Sequence, residues 1–280
     1  MATQSVTIAQ DNTSDTTWRA WVNGLKSAID ALGVLAQTSD TGQYNPATST
    51  KAGGAYLIYR FTDGLQSTAP CFIRIDVTSG PTLQVTVGTG TNGAGSLAGF
   101  NNAQNSAFLL TNTATAKLYK LSGTTSRFTL WAEVDGGRAS AISIERPHDN
   151  VGTEIGTCLL FASATATSNQ VLTVMQGSRM PTSIGVLHWG FACPYSNQPT
   201  LLPTAGAVQR TAFTLNLLGP NWQVQNPMIG LLVYWPADLP VNRPLPPITL
   251  YGVAHSYINP AQTPGNVVDG LGGALLMCYE

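Results

Sequence analysis

Charge is the scarcest property of this chain. Only 10% of its 280 residues are Asp, Glu, Lys or Arg, against roughly 25% in ordinary soluble domains. Thirteen basic and 14 acidic residues nearly cancel, leaving a formal net charge of -1. Such a chain has no long-range field with which to gather phosphates or an anionic membrane surface, so no nucleic-acid partner is expected. Cysteine is also sparse. Cys71, Cys158, Cys193 and Cys278 lie far apart without a Cys-x-x-Cys spacing, which describes buried thiols in a reducing cytoplasm rather than a disulfide framework. The longest clearly apolar run, residues 228–235, is far short of the roughly 20 residues that a membrane helix needs. The opening "MATQSVTIAQDNTSD" has neither the basic nor the apolar segment of a secretory signal. Membrane insertion is therefore not expected. Histidine is limited to His148, His188 and His255, none at a metal-ligand spacing. His148 adjoins Asp149 in an expected loop, an ordinary neighbour for a histidine. No metal and no cofactor are expected.

What the chain does have is apolar bulk and β-branched polarity. Hydrophobic residues make up 43%, enough for a well-filled core in a chain this long. The polar remainder is mostly Thr, Ser, Asn, Gln and Gly, and threonine favours extended backbone. One segment is convincingly helical. "DTTWRAWVNGLKSAIDAL" (residues 15–32) places Trp18, Trp21, Val22, Leu25, Ile29 and Leu32 at offsets of three and four, a single apolar stripe. Ser14 or Asp15 can cap its start and Gly33 can end it. The stripe must pack on something: either the chain's own β-structure or, as a docking interface, a neighbouring subunit. Nearly everything after it reads as strand and turn. Strands are expected at 56–61, 71–77, 81–88, 157–162, 171–175, 184–191, 212–218, 228–235 and 247–257. Residues 127–145 read as a hairpin with Gly136-Gly137 as a two-residue loop flanked by an Asp135–Arg138 ion pair. "WPADLPVNRPLPP" (235–247) is too proline-rich for a sheet interior. The expected fold is mainly β, a β-sandwich or barrel-like arrangement preceded by one amino-terminal amphipathic helix. A weak boundary at 146–152 divides it into an arm and docking helix (1–40), a β-rich domain (41–150) and a second β-rich region (151–280), in the same sandwich or separate.

Several motifs suggest chemistry and fail on their surroundings. "SDTGQ" contains the Asp-Thr-Gly of aspartic proteases at Asp40, but their mechanism needs two carboxylates sharing a proton. No second copy exists, and Asp40 follows polar residues rather than an apolar strand; a turn is the better reading. Gly88-x-Gly90-x-x-Gly93 follows a strand, as in dinucleotide-binding folds, yet no helix pattern follows and no acid appears before Glu133. It reads as a glycine-rich loop between strands. No Gly-x-Ser-x-Gly elbow is present. Glu133 and Asp135 alternate along one strand, about 7 Å apart by strand geometry, which would suit glycoside cleavage. Asp135 has a competing use beside Arg138. Trp189, Tyr195, Trp222, Tyr234 and Trp235 would stack on sugar rings if exposed. No catalytic residue is assigned.

Three stretches read together carry a family resemblance: "WRAWVNGLKSAIDALGVLAQTSDTGQYNPAT", "GGAYLIYRFTDGLQSTAPCFIRIDVTSG" and "PTLQVTVGTGTNGAG". Over residues 15–97 the chain resembles virion structural proteins of tailed bacteriophages. The resemblance implies a non-enzymatic structural component assembled in the host cytoplasm into the virion, attached at neck, tail or baseplate and contributing to host attachment. It implies partners in copies of the same chain, as a trimer or higher symmetric oligomer, and in other virion proteins, with a host surface glycan as a further ligand. Asp40 and Gly42 fall on the family's turn. A capsid decoration protein and a glycan-binding or glycan-cleaving receptor protein are the alternatives.

Overall fold

The computed structural model describes residues 1–80, 82–98, 106–109, 113–134, 138–146, 148, 153–154, 158–162, 171–175, 200–202, 210–218, 224–235, 247–250, 252–258, 260, 267–268 and 274–279. The chain opens with β1 (Ala2–Gln10), α1 (Asp15–Leu32), β2 (Leu35–Gln37), β3 (Ala55–Phe61) and a 3-10 turn (Gly64–Ser67). Next come β4 (Phe72–Val77), β5 (Thr82–Gly88), β6 (Gly90–Thr91), β7 (Leu97–Ala98) and β8 (Ser106–Leu109). Long strands follow as β9 (Thr113–Thr124), β10 (Arg127–Val134) and β11 (Arg138–Glu145), then β12 (Cys158–Ala162) and β13 (Val171–Met175). The rest comprises β14 (Thr200–Leu202), β15 (Arg210–Leu218), β16 (Val224–Trp235), β17 (Ile248–Leu250), β18 (Val253–His255), β19 (Tyr257–Ile258), β20 (Val267–Val268) and β21 (Ala274–Cys278).

The fold is mainly β, as the strand frequency implies, and none of the described sheets closes into a barrel. A seven-stranded sheet runs β1-β9-β10-β11-β12-β13, with β20 joining β11 through a short parallel pairing. One five-stranded sheet runs β2-β3-β4-β5-β8 and another β14-β15-β16-β21-β19; apart from β20, the pairings are antiparallel. The helix begins and ends where capping chemistry dictates. Ser14 accepts from the Thr17 N–H while the Thr17 hydroxyl accepts from the Ser14 N–H, a reciprocal capping box. Gly33 closes the helix in the left-handed region at φ 71°.

The core explains the placement of α1. Its stripe joins one apolar cluster with Leu57, Tyr59 and Phe61 of β3, Ile73 and Ile75 of β4, and Tyr119, Leu130 and Ile142 of the seven-stranded sheet. The two tryptophans address different sheets. The Trp18 indole N–H donates to the Thr78 carbonyl at 3.2 Å, at the end of β4. That of Trp21 donates to the Tyr119 hydroxyl on β9 at 3.1 Å. In β4 and β5 every second side chain is buried, the period expected of a sheet covered on one face.

Three expectations are revised. The helix is amino-terminal to the main run of strands as expected, but one unexpected strand, β1, lies ahead of it and pairs along β9 from Ala2↔Gly123 to Gln10↔Thr113. With only Val6 and Ile8 as large apolar residues, β1 has too weak an alternation to stand out in the sequence. The first 40 residues accordingly contribute one strand to each of two sheets, β1 and β2. Arg146, at the expected boundary, is 1% exposed and held by Asp63; the division at 150/151 falls between β11 and β12, which pair in one sheet. The hairpin of β10 and β11 forms, but its last pair, Val134↔Arg138, leaves three residues in the loop rather than two. The expected Asp135–Arg138 ion pair and the strand at 184–191 lie outside the described residues.

A polar seam ties the late part of the chain to the seven-stranded sheet. Glu145 is buried and its carboxylate accepts from the Ile229 and Gly230 N–H groups at 2.7 and 2.8 Å. Burial pushes its carboxyl above the usual range against the opposing pull of Arg127 and those two N–H groups. A Cβ at Gly230 would collide with the Ser143 and Thr129 hydroxyls, so only glycine lets the backbone come this close.

Candidate functional site

The stripe expected as a docking interface is the core of the folded chain. Trp18, Trp21, Val22, Leu25 and Ile29 are fully buried and Leu32 is 4% exposed. That covers the apolar face from end to end, so α1 has no apolar face left with which to dock.

The Asp-Thr-Gly turn and the glycine-rich loop, some 50 residues apart, meet in space. The Thr41 N–H and hydroxyl both donate to the Gly93 carbonyl, at 2.9 and 3.2 Å. The Gly95 N–H donates to Asp40 Oδ1 at 3.4 Å. Asp40 is buried. Burial works against its charged form, but hydrogen bonds from Thr38, Thr91 and Gly95 together outweigh that and hold its carboxyl below the usual range. A carboxylate fixed in this way closes a turn. The loop itself is a small hairpin of β6 and β7, with Asn92 Oδ1 accepting from the Ala94 and Ser96 N–H groups. Among the described residues a strand, β7, rather than a helix follows Gly93. Gly95 sits at φ 96° and a Cβ there would run into the Tyr56 ring and hydroxyl, so two independent constraints demand glycine.

Tyr56 and Arg74 carry this junction onto the outer face of the β3-β4-β5 sheet. Tyr56 donates to the Thr41 carbonyl at 2.5 Å. The Arg74 guanidinium lies 4.3 Å from the Tyr56 ring centroid, a cation–π contact. Its Nη1 donates to the Gly95 carbonyl at 2.5 Å, and its Nε and Nη2 grip Asp76. The cross-strand register Tyr56↔Asp76↔Gln84 places these side chains in one row. The row borders a concavity of about 440 Å³ that is also lined by Ala52, Gly53, Gly54, Thr78 and Ser79. A carboxylate, a guanidinium and a primary amide thus line a hollow in which the two charges cancel. Its chemistry suits recognition of a neutral polar group by planar hydrogen-bonding side chains. The sequence contained the signal for Arg74, Asp76 and Gln84, in the polar positions that alternate with core residues in "FIRIDV" and "TLQVTV".

Glu133 lies on β10 and its backbone carbonyl accepts from Gln10 Nε2; Asp135 lies outside the described residues, as do His188 and Trp189, and Tyr195. Among the described residues no group of three or more His, Cys, Asp or Glu could hold a metal ion, and no helix is long and apolar enough to cross a membrane. Cys71 and Cys278 are buried and form no disulfide. Comparison with family models, with curated proteins and with solved structures finds no match for the chain.

Proposed function

We propose that the chain is a non-enzymatic structural component of a tailed-phage virion, attached at neck, tail or baseplate and acting through contacts with copies of itself and with other virion proteins. What supports this reading is the junction of the Asp-Thr-Gly turn with the glycine-rich loop. These are two of the segments on which the family resemblance rests, and they pack on each other through Asp40, Thr41, Gly93 and Gly95. The signature residues therefore do the work of a scaffold. The near-neutral, threonine-rich surface agrees with a protein built to pack against its own copies.

The experiment is immunogold labelling of purified phage particles with an antibody against this chain, alongside mass spectrometry of the same particles. Labelling of the tail, neck or baseplate is the expected outcome. Labelling over the head would move the chain to capsid decoration, and its absence from purified particles would sink the reading. A second reading, recognition of a surface glycan, is favoured by the concavity beside Tyr56, Asp76 and Gln84. Binding of host polysaccharide that is lost in Asp76→Ala without loss of fold would support it.

A further inference from the structure

The edges of the sheets are not alike. Among the described residues, five of the six strands that end the three large sheets are short: β2 has three residues, β8 four, β13 five, β14 three and β19 two. Brevity is one of the ordinary ways in which a protein blunts an edge against pairing with another chain. The sixth, β1, runs for nine residues, "ATQSVTIAQ". Among the described residues it pairs on one side only, with β9. It lacks the other protective devices too. No Lys, Arg, Asp, Glu or Pro occurs before Asp11, and the one irregularity, between Ala9 and Gln10, sits at its very end.

The side chains of β1 show what is left uncovered. Thr3, Ser5 and Thr7 are exposed on one face. On the other, Ile8 is buried against α1, but Ala2 and Val6 pack on the core while staying partly exposed. A strand laid along the open edge would cover them and satisfy the outward N–H and C=O groups of the backbone.

We propose that β1 is an interface strand and that its partner is β1 of a second copy of this chain, paired antiparallel about Val6. An uncharged strand cannot select a partner by charge, but this one is complementary to itself. Centred on Val6, a twofold axis sets Val6 against the partner's Val6 and Ser5 against the partner's Thr7. The faces also match, so exposed residues meet exposed ones and core-facing residues meet core-facing ones. Such a contact is isologous and closes on itself, alone or inside a larger assembly. The choice of a second copy rests on the self-association in the proposed function; the length and neutrality of the edge do not.

Light scattering of the full chain, with two double variants at the exposed positions, tests this. The wild type is expected to have the mass of an even number of 29.5 kDa chains. In S5K/T7K like charges face each other across the axis, and the mass is expected to halve; Ser5 also pairs with Lys120 of the same chain, a strain that S5K/T7E shares, so the two variants are expected to melt alike. In S5K/T7E each introduced lysine faces the introduced glutamate of the other copy, and the wild-type mass is expected to return. An odd number of copies in the wild type, one included, overturns the inference; a single copy also removes the self-association. An unchanged mass in S5K/T7K overturns the edge assignment while leaving self-association standing. Failure of S5K/T7E to recover overturns the pairing about Val6.

Discussion

Toward one end of β3 the guanidinium of Arg74 lies over Tyr56 and grips Asp76; toward the other that of Arg146 lies over Phe61 and grips Asp63. Both pairs have their closest approach at 2.5 Å, and both arginines use Nε together with a terminal nitrogen. They differ in their access to water. The side chains of Arg74 and Asp76 are 26% and 25% exposed, those of Arg146 and Asp63 1% and 5%. A pair at the surface gains little, because water and salt compete with each partner. A buried pair is unforgiving, because removing one partner leaves the other charge without compensation in a poorly polarisable interior. One motif therefore serves two ends. Arg146 locks the connection after β11 to the turn after β3, whereas Arg74 shapes an open hollow.

Mutation of the two carboxylates puts that contrast at risk. Asp63→Ala is expected to cost about 3–5 kcal/mol, read as a large drop in the urea midpoint. A loss under about 1 kcal/mol would mean that the Arg146 site is wetter than its exposure implies. A second test of dryness is acid. Burial, with help from the charges of Arg127 and His148, holds the pKa of His255 down to about 4, against about 6.5 in an unfolded chain. Between those values the unfolded state binds more protons than the folded one. Stability should thus be lost as pH falls from about 6.5 to about 4. His255→Gln should flatten the stability curve across that window, as measured by urea unfolding at a series of pH values. An unchanged slope would place the imidazole in water. The smallest effect is expected at the wet end, where Asp76→Ala should cost less than about 1 kcal/mol. Raising the salt concentration should erase part of even that difference.

The sequence revealed the local features and concealed the distant ones. The helix bounds, the Ser14 cap and the left-handed Gly33 follow from spacing and chemistry within a few residues, and the structure has them where they were expected. So do β3, a run of β-favouring residues, and β4, β5 and the hairpin of β10 and β11, whose polar and apolar residues alternate. The destination of the Trp18–Leu32 stripe could not be read, because an amphipathic helix looks the same whether its own sheets or another subunit cover it. Nor could the role of Arg146: "RPHDNVG" breaks a strand pattern, and nothing nearby announces a carboxylate 83 residues back. Of the candidate site, the outward side chains Arg74, Asp76 and Gln84 were present as alternation. Its meeting with the Asp-Thr-Gly turn depends on a contact spanning 55 residues, from Asp40 to Gly95. Short-range periodicity cannot report contacts at that separation.

The pairing of β1 with β9 also sets a timetable. Its partner strand begins at Thr113, so β1 leaves the ribosome well before that partner and must wait for roughly 110 further residues, on the order of ten seconds of synthesis. During that interval the strand has two open edges rather than one. Neighbouring nascent chains on the same message carry the same uncharged strand at the same stage. Whatever keeps those strands apart until β9 arrives acts during translation, before there is a folded chain to protect.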